Sequence, residues 1–556
     1  MDVKNIIEEI EETSKKIFNT ASEVKHHSFL RKKITSDCKV SVADIIKINA
    51  GLTESYKKLV SNFRDNIGII GQNISILVEG TDYFQKIIEN VREMKDVFGD
   101  MQKEISTLNT IIDSIRRDTD DISSLALNAS IVSSKYSHTS GVFDILSNKL
   151  NEMSSFISQN LESILKVVTP IVEDVDRLAS TNDEIIEEVE YGFQSFKGFN
   201  DNMGILELSL GELVEIASGI ANSILNHARM LFELNSRIDQ MDIDSDAAIT
   251  GSSNNAQSAE QLTALSVEAR GLFRSAKGNN ADVKLKKKMD EIHELSNFIA
   301  KNAGNVNSRS KTQLDFSRDC VDYSSTITRE GVTFAGKTET LGIRAKSNNN
   351  IMDSINDELN SLQKNIASFA DKMDEARLLM DRFNLNYNDI DNVIAFLKNI
   401  MKSMNLIGVL SKIESSREPE EYRQFMTISE NITNLQIRIH DNIPHVEKNI
   451  ERTRVLIETL NNRFLQILSD ISLISQNGND ILLRITKMVN TSVSSQHLSI
   501  SIAQETEAGG EVLIALRSFM KQLAKAVEKP IEGSEHNMSA GTTVGELCVQ
   551  VIDSIG

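Results

Sequence analysis

The sequence predicts an all-α protein built of long antiparallel coiled-coil hairpins that form an elongated four-helix bundle. Three observations carry this. Only 4 prolines occur in 556 residues, and a proline inside a helix removes a hydrogen bond and clashes with the preceding turn. There is no tryptophan, aromatic residues make up 5% and hydrophobic residues 40%. That suits helices burying a narrow stripe better than a thick globular core. Finally, apolar residues recur in alternating three- and four-residue steps, an average of about 3.5, which is the spacing of a left-handed supercoiled seam.

The first such ladder is Ile105, Leu108, Ile112, Ile115, Thr119, Ile122 and Ala126. It resumes as Leu146, Leu150, Met153, Ile157, Ile164 and Val168. A second pair follows the same design. Ile390, Val393, Leu397, Ile400, Met404 and Ile407 lead into a polar bend, and Phe425, Ile428, Ile432, Leu435 and Ile439 lead out of it. The return continues through Val446, Ile450, Thr453, Ile457, Leu460, Phe464, Ile467, Ile471 and Ile474. The step between Ile439 and Val446 slips by one residue beside Pro444, which predicts a local kink or skip.

The pattern divides the chain into a first hairpin over 1–242 with its tip near 137–141, and a second over 282–530 with its tip near 418–421. The polar, small-residue stretch 242–255 and the Gly278-Asn279-Asn280 run read as a linker over 243–281 enclosing a short helix. Residues 531–556, rich in glycine and serine after Pro530, read as a flexible tail. The four arms are similar in length, so one chain is expected to supply all four helices of its bundle; pairing of like halves in a homodimer is the other arrangement.

A net charge of −20 argues against a nucleic-acid partner, which needs cations to displace phosphate counterions. The basic run Lys286-Lys287-Lys288 is followed by acids and reads as a solvated helix face. Cys38, Cys320 and Cys548 are scattered, neither a disulfide framework nor a metal site. No phosphate loop, metal-spaced cluster or nucleophile elbow is present, so neither an enzyme nor a cofactor is expected. The amphipathic, acidic start is unlike a secretory leader, and no uncharged apolar run reaches the ~20 residues of a membrane helix. A cytoplasmic chain with no membrane insertion is the expectation.

The bends carry the most specific signal. Around the second, Asn405, Glu414, Arg417, Glu420, Arg423 and Phe425 fall at the spacing of the signalling tip of bacterial methyl-accepting chemotaxis receptors, which this segment resembles. Around the first, Leu125, Leu127, Asn128, Ala129 and Phe143 keep the apolar and small letters of that pattern, and the first four match its core positions. There Val132 and Lys135 stand where Glu and Arg belong, and His138 replaces the bend Glu. The chain thus looks like two divergent copies of the receptor signalling domain, the first with an altered tip.

The resemblance implies a conformational signalling protein whose tip binds a chemotaxis histidine kinase and its coupling protein, and which associates with other receptors or with itself. Carried onto this sequence, Glu414 and Arg417 are candidate contacts between receptors, and Glu420, Arg423, Phe425 and Thr427 are candidate tip and kinase-side contacts. Lys402 stands where such receptors carry an aromatic contact. Gln504 and Glu505, flanked by small residues, match the family's methylation sites best. The other class that fits the sequence is a structural coiled-coil scaffold or spacer without kinase control.

Overall fold

The computed structural model describes residues 2–135, 140–275, 279–416 and 423–555. The fold is all-α. Four helices follow one another: α1 (Val3–Lys135), α2 (Ser140–Ser275), α3 (Asn279–Ser415) and α4 (Arg423–Ile555). The chain divides into two compact units, each containing a segment of every helix. One comprises 1–68, 207–350 and 489–556; the other comprises 69–206 and 351–488. Each takes roughly 70 residues of each helix, about 100 Å at the α-helical rise of 1.5 Å. In each, all four helices of the chain take part.

The second unit holds the helix ends on either side of both bends. Ion pairs link its helices in a closed ring. Lys95 reaches Asp183 from α1 to α2 at 2.8 Å, and Lys372 reaches Glu184 and Glu188 from α3 to α2 at 2.9 Å. Arg454 reaches Asp391 from α4 to α3 at 2.6 Å, and Arg452 reaches Glu104 from α4 to α1 at 3.3 Å. Neighbours are therefore antiparallel around the bundle. The ladder residues named above are buried, apart from the half-buried Val393. Near Pro444 the seam runs Ile439, Ile443, Val446, so the slip is taken up within an unbroken run of buried positions. The helix continues there and Pro444 is exposed; the carbonyl that loses its partner can turn to water.

Deeper in this unit a reciprocal exchange fixes the approach of α1 to α2. A Cβ on Gly80 would overlap the ring of Phe196, and one on Gly192 would stand 2.5 Å from the ring of Phe84. The two rings meet edge to face with centroids 5.2 Å apart. Each helix thus offers a glycine to receive the other's phenylalanine.

The first unit overturns two sequence expectations. The stretch 243–275 is no linker: α2 runs through it to Ser275. Its small polar residues occupy seam positions, with Met241, Ser245, Ala248, Ser252, Asn255, Ala259 and Leu262 all buried. Polarity suggested a loop, whereas spacing makes a seam of low volume. A Cβ on Gly251 would lie 2.7 Å from Val306, so the helices come close. Nor is 531–556 a flexible tail. It is the last part of α4, and Val544, Leu547, Cys548 and Val551 pack in one core with Ile6, Ile10, Leu262 and Met289. Here too small residues permit the fit. A Cβ on Gly541 would sit 3.0 Å from the Ser296 carbonyl oxygen and 3.1 Å from the Ala300 nitrogen.

Residues at matching places in the two halves meet across the diagonal of each unit. In the first, Arg31 donates to Gln313 and Tyr56 bonds to Thr338, both pairs 282 positions apart. In the second, Phe143 stacks on Phe425 at the same offset.

Two outcomes follow from this packing. Alanine in an exposed helix normally gains about 0.5–1 kcal/mol over glycine. At Gly80 it must displace the Phe196 ring, so Gly80→Ala is expected to lower stability by about 1–3 kcal/mol. Gly99→Ala, whose Cβ meets nothing within 4 Å, should raise it slightly. Thermal unfolding followed by circular dichroism distinguishes the two, and equal effects would refute the exchange. Second, burial pushes the thiols of Cys38, Cys320 and Cys548 up to about 12, and the reactive species is the thiolate. At pH 8 the folded protein should resist a chromogenic disulfide reagent, and all three thiols should react at once in denaturant.

Candidate functional site

The candidate site is the end of the second unit where α1 gives way to α2 and α3 to α4. Its interior is built twice from the same parts. Ser147 of α2 donates to the Ala126 carbonyl of α1 at 2.5 Å, and Ser429 of α4 donates to the Gly408 carbonyl of α3 at 3.1 Å. One turn further on, Phe143 and Phe425 stack with centroids 3.6 Å apart and planes 20° apart. The two rings lie nearly face to face and both are buried, so their contribution is chiefly the apolar area they remove from water. At the close of α3 the hydroxyls of Ser415 and Ser416 donate to the Lys412 carbonyl at 3.0 and 2.7 Å, satisfying an acceptor that the helix leaves open.

The exterior is unusually apolar. α1 exposes no large apolar side chain between Val78 and Leu127, then exposes Leu127 (63%) and Ile131 (46%). On α2, Val142 and Ile145 are exposed; on α3, Leu406, Val409, Leu410 and Ile413; on α4, Met426. The reason lies in the spacing. Met404 and Ile407 face the core while Leu406, Leu410 and Ile413 recur three or four residues apart on the other side. These helix ends therefore carry two apolar stripes, and only one has a partner within the bundle. Phe156 of α2 and Phe396 of α3, both partly exposed, meet edge to face at 6.5 Å beside the same surface. An 18-residue window of α3 reaches a mean hydropathy of 1.4, the length and composition of a membrane helix, which the charge pattern of the sequence did not suggest; only 39% of that window is buried.

Of the residues singled out from sequence, Glu414 is half-buried and Thr427 exposed, on facing ends of α3 and α4. Phe425 is 1% exposed. It is a core residue that sets the tip's geometry and has no surface to offer a partner. Val132 is half-buried and Lys135 exposed. His138, Arg417 and Glu420 lie outside the described residues, as does the side chain of Arg423. Leu127 and Asn128, expected at core positions, point outward, and Ala126 and Ala129 hold the seam in their place. Gln504 and Glu505 belong to the other unit. Gln504 is exposed; Glu505 is half-buried, with one carboxylate oxygen lacking a hydrogen-bond partner.

About five helical turns from the end of α1, Arg438 of α4 pairs with Asp118 and lies 3.7 Å from Asp121. Asp118 is 1% exposed. Burial raises its carboxyl above the ordinary value of 3.8; Arg438 opposes this and Asp121 adds to it. Among the described residues no group of three or more His, Cys, Asp or Glu side chains could hold a metal ion. The arrangement offers a surface for protein contact: an apolar skin over a rigid aromatic interior.

No family model matches the chain, and no curated protein matches it at a significant level.

Asp118 yields a pH test. A carboxyl whose folded-state pKa is raised contributes stability that is fully present below the unfolded value of about 3.9, and loses it as pH rises through the folded value. Asp118→Asn should therefore melt higher than the wild type at pH 7. The gap should close as pH falls towards 4. A lower melting point at pH 7 would mean that the pair with Arg438 outweighs the cost of burial.

Proposed function

We propose that this chain is a cytoplasmic chemoreceptor-like signalling protein whose paired helix ends, at the bends of the second unit, bind and modulate a chemotaxis histidine kinase and its coupling protein. The observation that carries the reading is the second apolar stripe, Leu406, Leu410 and Ile413 on α3 with Leu127 and Ile131 on α1, exposed beside the buried Phe143–Phe425 stack. An apolar patch kept in water at one end of a bundle marks an interaction surface. Glu414 and Thr427 would contribute to a polar rim beside that surface, and Arg417, Glu420 and Arg423 remain candidate contacts by sequence alone.

In this reading Phe425 acts from inside, holding the two tips in one geometry. Regulation is a shift between packing states of the bundle that the bound kinase reads. The first copy supplies apolar surface and the second supplies charge, so the two tips are unequal. Gln504 and Glu505 remain the candidates for methylation; Gln504 is open to a modifying enzyme and Glu505 less so.

Kinase phosphorylation in a reconstituted mixture of this chain, kinase and coupling protein tests the proposal. Leu406→Glu or Ile413→Glu should leave stability within about 0.5 kcal/mol, since both sites are exposed. Either should lower the chain's effect on the kinase by roughly tenfold or more, the loss of a central apolar contact. Glu414→Ala should weaken it too, and Val132→Ala with Lys135→Ala should do little. If wild-type protein neither binds the kinase nor changes its phosphorylation, the scaffold reading takes its place.

A further inference from the structure

In the unit that holds the chain termini, one stretch of the seam is not filled. On α3 the buried residues Ile327 and Phe334 are one heptad apart, and the seam position between them is Gly331. The diagonal register that joins Tyr56 to Thr338 sets Asn49 of α1 across from it. Gly509 and Gly510 of α4 border the same space. A Cβ on the half-buried Gly331, Gly342 or Gly510 would meet nothing within 4 Å. The missing side chains leave a cavity of about 800 Å³, within the range of roughly 300–1,000 Å³ that accepts a small organic molecule.

Its lining selects a chemistry. The walls are apolar, with Ile45, Leu52, Ile224, Phe334 and Leu513 among them. At its border Val332, Ile343, Ile500 and Ile514 are between 50% and 70% exposed, so apolar surface extends to the mouth. Asn49 lines the cavity and is only 8% exposed, and its side-chain nitrogen has no hydrogen-bond partner. A buried donor without an acceptor costs about 1–3 kcal/mol, a cost that a ligand oxygen would relieve. The other buried polar side chains of the lining are already engaged: His227 is paired with Glu330 and set against the Phe334 ring at 5.0 Å, Thr338 donates to the Phe334 carbonyl and Ser499 to the Ser495 carbonyl. Glu339 and Glu507 against Lys346 leave the border short of positive charge, which disfavours an anionic head.

We infer that this cavity is a binding site for a neutral, elongated, lipid-like molecule: a hydrocarbon body among the aliphatic side chains, with one uncharged oxygen accepting from the Asn49 amide. The site stands independently of the signalling reading, because binding is measured without a kinase.

The neutral fluorophore N-phenyl-1-naphthylamine, titrated into the full chain and displaced by 1-decanol, tests the inference. Wild type should bind the probe saturably and release it to decanol. Gly331→Leu with Gly510→Leu fills the space, and should weaken probe binding tenfold or more without lowering the melting temperature, since leucine favours helix over glycine. Gly342→Met is the independent filling variant should the double variant fold poorly. Gly99→Leu adds the same side chain to open space in the other unit and should bind as wild type does. Asn49→Ala should retain the probe but raise the decanol concentration needed for displacement, roughly fivefold for one lost hydrogen bond. Absence of saturable binding to wild type, or undiminished binding to the filled variants, would overturn the site. Unchanged displacement from Asn49→Ala would overturn the assignment of the head group.

Discussion

Everything in this molecule depends on the filling of a seam shared by four helices. Each helix is too thin to bury its own apolar stripe, so its stability lies in layers to which all four contribute, and interiors tolerate neither voids nor overlap cheaply. That constraint explains residues which look arbitrary along the chain. Gly80 and Gly192 exist to receive Phe196 and Phe84. Gly541 lets α4 reach the backbone of α3. Where the rule is relaxed, at Asn49, Gly331 and Gly510, a cavity opens. Helix propensity disfavours every one of these glycines, and tertiary packing overrides it.

The constraint also accounts for what the two halves of the chain have in common. At the tip end both halves have a serine that bonds across to a neighbouring carbonyl, Ser147 to Ala126 and Ser429 to Gly408, and both supply a phenylalanine to the central stack. Those positions lie in the interior, where either half's loss would damage the other. Away from the seam the halves differ: Val132 and Glu414, 282 positions apart, are both half-buried, one apolar and one charged. Interior parts are common to the two halves, whereas exterior parts differ.

This is why some of the structure was legible in the sequence and some was not. The ladders on either side of each bend are bulky and regular, and every residue they named there but Val393 is buried, from Ile105 to Val168 and from Ile390 to Ile474. The ends of the helices that flank the first and second tips, at Lys135 and Ser415, fall where small and polar residues gather. The stretches 243–275 and 531–556 misled because their seams are lined by Ala, Ser, Asn and Gly, which composition assigns to loops. The three-four spacing was present at Met241, Ser245, Ala248, Ser252 and Asn255 but carried little hydrophobicity to reveal it. Leu127 was misplaced for the opposite reason. It is apolar, yet it belongs to an outer stripe one residue off the seam position Ala126, and one sequence with two apolar faces does not say which of them is inside.

A seam of small residues leaves the question of what holds it in register, since alanine and serine interlock weakly. In the first unit Arg31 supplies an answer. Its side chain is fully buried with no carboxylate bonded to it, and burial lowers its pKa to about 10 despite the nearby charge of Asp244. It donates instead to Ser28, Ser310 and Gln313 at 2.8, 3.0 and 2.6 Å, and Gln313 passes the network on to the Met241 carbonyl and Ser245 of α2. Slide α3 by one heptad and the place of Gln313 is taken by Val306 or Cys320, neither of which can accept such a bond as an amide oxygen does. Stranding a guanidinium in a dry interior costs several kcal/mol. A slip among alanines and serines changes apolar burial by far less, because their side chains have so little surface to bury. A single polar layer thus fixes a register that the apolar pattern there is too weak to specify. This is the role that a lone buried polar residue plays in shorter coiled coils.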